Sequence, residues 1–211
     1  MFLQPLKSRP WGRHASRGFT LIELMVVVLI IAIMATLASP SITEQMRERR
    51  SRDAAQQLSG LFSNSRMRAL GRGAGVMVRY RAATGFTVLE SIEGTAAATL
   101  RGSATCAAQP GLGCIANNWT DPSLSRQVNL YIPPPTVTVT VRNQGGTAQT
   151  QMDLCFTPLG RSFISFDGAP PTLPMVGATT IDVQRLNSAN QPIGLLRSVA
   201  VLPTGMARVG I

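Results

Sequence analysis

The sequence predicts an α+β protein, in which one long N-terminal helix packs against a C-terminal antiparallel β-rich head. Three observations predict it. A 22-residue apolar run, residues 19–40, holds a single charge, Glu23. Behind it, apolar residues recur at spacings of three, four and seven as far as Leu70. Beyond Gly73 the period changes to two, with Gly-, Pro- and Asn-rich breaks between short runs.

Taken in order, residues 1–18 carry Lys7, Arg9, Arg13 and Arg17, no acid, and no periodic apolar face. They are expected to be an unstructured, disposable basic leader. Residues 19–40, wound as a helix, would rise about 33 Å, close to the roughly 30 Å hydrocarbon core of a bilayer. Pro40 has no amide hydrogen, and its ring crowds the carbonyl one turn back, so a kink is expected there. Residues 41–72 continue as an amphipathic helix. Ile42, Met46, Ala54, Ala55, Leu58, Leu61, Phe62, Met67 and Leu70 make its stripe, and Arg47, Glu48, Arg49, Arg50, Arg52 and Asp53 fall between them. Gly71 or Gly73 can supply the left-handed cap that ends it.

Residues 73–211 read as the β-rich head. Alternation marks strands at 76–81 and 86–90, joined as a hairpin, then at 127–132, 136–142, 152–156, 162–166, 180–184 and 198–202. Asn143-Gln144-Gly145-Gly146 and Asp167-Gly168 carry turn chemistry. The small, polar stretch 94–121 reads as a long loop.

The formal charge is +10, and four of the positive charges lie in the leader. Without the leader, sixteen arginines face ten acids, a net +6, and residues 41–72 alone hold seven arginines against three acids. The head is therefore only mildly basic. His14 and Lys7, the sole histidine and lysine, both lie in the leader. A chain trimmed of it has no imidazole for general-base work, a serine triad or a histidine metal site. No enzymatic activity, cofactor or metal is expected.

Three cysteines allow one bridge and one free thiol. Cys106–Cys114 would close a short turn-rich loop, and the alternative is Cys114–Cys155. Three buried thiols are the bland alternative to both.

Three readings of the N-terminus compete. A conventional secretory signal would be cut after its apolar core, near Ala38, and gives Glu23 no reason to be there. A plain anchor would keep the leader and tolerate Glu23 near the interface. Cleavage between Gly18 and Phe19, with the apolar helix retained, uses Gly18, Phe19 and Glu23 together. Arginines follow the apolar run as closely as basic residues precede it, so charge counting alone does not fix orientation.

Gly18-Phe19-Thr20-Leu21-Ile22-Glu23-Leu24-Met25-Val26-Val27 resembles the processing and methylation site of type IV pilins and type II secretion pseudopilins. The resemblance implies that a membrane peptidase cuts after Gly18 and methylates the new amine of Phe19. It also implies that Glu23 selects and registers subunits during assembly, and that the helix loosens near Pro40 in the filament. A carboxylate in oil seeks a cation, and the freed amine of Phe19, on its own or a neighbouring chain, offers one.

Leu61 to Arg81, Leu154-Cys155-Phe156-Thr157-Pro158-Leu159-Gly160-Arg161 and the stretch from Val199 to Val209 resemble blocks of the GspH/FimT-type minor pilins, the FimU-like ones most of all. This resemblance implies a low-abundance subunit that initiates or caps a pilus. Its implied partners are the major pilin, other minor pilins, the prepilin peptidase, an inner-membrane assembly platform and membrane lipid. The implied location is the inner membrane, as a single pass with the head in the periplasm, and then the pilus filament or tip at the cell surface. A minor pseudopilin of a type II secretion system is the alternative.

Some members bind DNA through a Gly-Arg-x-Arg tail. Here Gly205-Met206-Ala207-Arg208 lacks the first arginine. A DNA-contacting patch would need Arg208 joined in space by Arg161 and Arg197, because one phosphate contact gives little affinity. The basic cluster 47–52 faces either lipid headgroups or acidic neighbours, or is simply a wet helix face.

Overall fold

The computed structural model describes residues 18–92, 113–114 and 119–210, with the side chains of residues 37–44 and 47 left out. The leader up to Arg17 and Cys106 lie outside the described residues. Two compact units divide the chain, Met1–Thr43 and Glu44–Ile211. The division falls inside helix α1, Leu21–Arg72, so the amphipathic half of that helix belongs to the same unit as the strands.

In the first unit, α1 begins where the sequence supplies a cap. The Thr20 hydroxyl accepts the Glu23 amide hydrogen at 3.2 Å, satisfying one of the four donors a helix start leaves open. Thr20-Leu21-Ile22-Glu23 thus has the spacing of a capping box, with an acid in the first turn where the helix dipole favours one. Helix α1 runs on through Pro40 without a break.

The second unit is a two-sheet sandwich with α1 built into its core. One sheet is ordered β3-β2-β1-β6-β7-β8, from β1 (Val76–Arg81), β2 (Gly85–Ser91), β3 (Ser125–Tyr131), β6 (Gln151–Phe156), β7 (Ser162–Ser165) and β8 (Leu173–Pro174). The other is ordered β11-β10-β9-β4-β5, from β4 (Val137–Arg142), β5 (Ala148–Gln149), β9 (Thr179–Leu186), β10 (Pro192–Val201) and β11 (Ala207–Gly210). All pairings are antiparallel.

Alternation decides which side chains meet. Val76, Val78, Phe86, Val88, Met152 and Leu154 face inward from the first sheet, and Val141, Ile181, Val183, Val199 and Val201 from the second. Ala54, Ala55, Leu58, Leu61, Phe62 and Ala69 complete this core from α1. The small residues at 54, 55 and 69 let the helix approach closely, and Phe62 meets Phe86 edge to face, with ring centres 6.1 Å apart.

The other face of the first sheet carries a second, smaller core. Met77, Leu89 and Cys155 are buried there beneath Cys114 and Trp119, with Phe163 half-buried beside them. Cys114 is bonded to Cys155. A Cys106–Cys114 bridge is therefore not formed. The long loop lies across the strands at Cys114, which brings that sulfur to the central strand β6.

The eight expected strands are present, and three short ones join them. β5 and β8 have two residues each, too few to show a period. β11 occupies residues that read as a tail, and β10 begins six residues early, at Pro192. A register shift between Ile193 and Arg197 breaks the alternation that would have revealed it.

Candidate functional site at the start of the long helix

Gly18 and Phe19 stand just ahead of α1 and Glu23 lies in its first turn, and all three are exposed. Phe19 is 79 % accessible, and Leu21, Ile22, Leu24 and Met25 each exceed half. The exposure continues around the helix through Val27, Leu29, Ile31 and Met34. Residues 19–36 are exposed throughout, although nearly all are apolar. A helix that is hydrophobic all round needs another environment, either lipid or other helices.

Gly18 has no local structural reason to be glycine. A Cβ there would meet nothing within 4 Å, and its backbone is outside the left-handed region that favours glycine. Glu23 donates its backbone amide hydrogen to the Thr20 hydroxyl, and the residue is exposed. Among the described residues, no helix is long and apolar enough to cross a membrane.

Of the three arginines considered for DNA, one is buried and two are exposed. Arg197 is 9 % exposed, and its Nη1 lies 2.6 Å from Glu48 Oε1 on α1, so it is committed to an internal ion pair. Arg185 approaches the same carboxylate at 3.4 Å. Arg161 and Arg208 are exposed, the first in the turn before β7 and the second on β11 of the opposite sheet. Gly205 serves the fold. With φ +76° it turns the chain between β10 and β11, and a Cβ would come within 2.7 Å of Arg66 Cδ and 2.9 Å of Phe156 Cε1.

Buried acids are the feature that sequence reasoning missed. Glu90 is fully buried, and three guanidinium groups converge on it: Arg68 at 2.6 Å, Arg72 at 2.5 Å and Arg126 at 3.2 Å. Burial alone would push its carboxyl up. Hydrogen bonds and charge from Arg68, then Arg126, outweigh that and hold it below its ordinary value. Asp153, also fully buried, is gripped by Arg81 at 2.7 Å and Arg79 at 3.3 Å. A signal for Glu90 existed: it alternates in phase with Phe86 and Val88, which points an acid inward. Among the described residues, no group of three or more His, Cys, Asp or Glu is placed to hold a metal.

The apolar helix start is thus the part of the chain built to meet something else, and comparison with known proteins bears on that same stretch. No curated protein and no solved structure matches the chain. Residues 13–39 match the family described as the prokaryotic N-terminal methylation motif, so the chain carries a type IV pilin-like leader, in support of the type IV pilin or pseudopilin class.

Proposed function

We propose that the protein is a minor pilin of a type IV pilus, a structural subunit that helps initiate or cap assembly after its leader is removed. The observation that carries this reading is the pairing of the methylation motif with a helix start whose apolar side chains are exposed all round. A glycine without a packing or backbone role, next to an exposed Phe19, fits recognition by a peptidase that cuts between them. In this reading residues 19–40 cross the inner membrane once, and the head lies in the periplasm. On extraction into a filament, the same apolar surface packs against the major pilin and other minor pilins. Glu23 meets the methylated amine of a neighbouring Phe19 and sets the axial register, since a desolvated carboxylate is tolerable only beside a cation.

The protein acts as a building block in this account, with no chemistry of its own. Its partners are other pilins, the prepilin peptidase, the assembly platform and the lipid it leaves. The motif serves a minor pseudopilin of a type II secretion system equally well, and deleting the gene separates the two. Loss of surface pili with secretion intact is the expected result, and the reverse result assigns the chain to secretion.

A further inference from the structure

The second core is held differently from the first. The main core interlocks α1 with both sheets, whereas the second consists of five buried side chains and Phe163, and two of the five are the bonded cysteines. Trp119 Nε1 donates to the Cys114 carbonyl at 3.1 Å, a bond within the cover itself. Ser125 Oγ donates to the Trp119 carbonyl at 3.1 Å, which ties the cover to the start of the edge strand β3. At the near side Gly75 lies so close to Gly113 that a Cβ would come within 2.8 Å of the Gly113 carbonyl oxygen. The link to the central strand β6 is the Cys114–Cys155 bond. It spans 41 residues of sequence that include β3, β4 and β5, whose own ladders hold them in the sandwich whether or not the bond is closed.

We infer that the Cys114–Cys155 disulfide is a redox latch: closed, it seats Cys114 and Trp119 over Met77, Leu89 and Phe163, and opened, it releases that cover while the sandwich with α1 stays folded. A dithiol reductant supplies the chemistry. Its first thiolate attacks one sulfur and expels the other cysteine as thiolate. Its second thiolate then closes the reductant's own disulfide and frees the remaining cysteine. Two electrons and two protons pass to Cys114 and Cys155. The latch therefore ties the cover to the compartment: the apolar patch of the first sheet is sealed under oxidising conditions and open under reducing ones. This holds whichever assembly the chain joins.

The test uses the full chain carrying Trp11→Phe and Cys106→Ser, so that Trp119 is the sole indole and Cys114 has one possible partner. Trp119 emission and amide exchange are followed before and after dithiothreitol, with free thiols verified by mass. A Cys114→Ser/Cys155→Ser variant serves as the permanently open form. The expected result is a red-shifted, brighter indole in both open forms. Exchange at residues 113–114 and 119–121 should rise about tenfold, while β1 and β10 keep their protection. Unchanged emission and exchange in the open forms would overturn the latch, as would a bond that resists the dithiol under native conditions. Loss of protection throughout the sandwich would also overturn it, by making the bond a staple of the whole head.

Discussion

Arg68 holds Glu90 Oε2 through two nitrogens, Nε at 2.9 Å and Nη2 at 2.6 Å, and so fastens the last turns of α1 to the inward face of β2. Arg72 takes the other oxygen, and Arg126 reaches in from β3. The carboxylate is fully buried, while each arginine side chain is more than a third exposed. The acid is therefore the partner that depends on the cluster, and the arginines retain water.

Glu90→Gln should lower stability by about 1–3 kcal/mol in urea unfolding, below the cost of breaking a fully buried pair because the arginines left behind are partly solvated. The pH dependence follows from the direction of the shift. A carboxyl held below its ordinary value of 4.5 contributes stability that is complete above that pH. The contribution is lost as pH falls through the lowered value. Melting temperature measured below pH 4.5 should therefore fall more steeply for the parent than for Glu90→Gln.

Gly205→Ala tests the turn that presses on α1. The alanine meets both a left-handed backbone and side-chain atoms at 2.7 and 2.9 Å, whereas Gly146, at φ +80°, has open space around it. Gly146→Ala should cost about 1 kcal/mol for backbone alone, and Gly205→Ala roughly 2–4 kcal/mol for backbone plus overlap. Equal costs in thermal unfolding would show that Arg66 and Phe156 yield freely.

Arg197→Ala and Arg208→Ala should behave oppositely to a DNA-patch reading. The first opens an ion pair with Glu48 and should destabilise the fold by about 1–2 kcal/mol. The second removes an exposed side chain and should stay within about 0.5 kcal/mol of the parent. A gel-shift titration of the parent chain at micromolar protein should show no salt-sensitive DNA complex.

Two substitutions separate capping from register at the helix start. Thr20→Ala removes the acceptor of the Glu23 amide but keeps the carboxylate, while Glu23→Gln does the reverse. Filament incorporation should fall about tenfold or more for Glu23→Gln, the loss of one charge-assisted contact, and little for Thr20→Ala. Leader removal should be nearly normal in both. Equal incorporation of parent and Glu23→Gln would remove the register role.

The legible parts of this chain are those where a period runs long enough to be seen. The stripe through Leu58, Leu61 and Phe62 and the alternation of Val76, Val78 and Tyr80 each foretell a buried face that is present. β5 and β8 are too short to alternate, and Gly194 with the register shift masks the start of β10. Cysteine pairing was open because spacing along the chain does not say which strand a loop will cross. Arg197 read as a surface charge because nothing local reveals Glu48, 149 residues away, as its partner. At the candidate site, the spacing of Thr20 to Glu23 is a capping box written in the sequence.

The central claim is that this chain is trimmed to a free Phe19 that joins Glu23 in assembly, and the intact mass of the protein purified from its own cells tests it most directly. The account predicts a single species beginning at Phe19 and heavier by one methyl group. A chain that still begins at Met1, or one cut beyond the apolar run at Ser39, would contradict it.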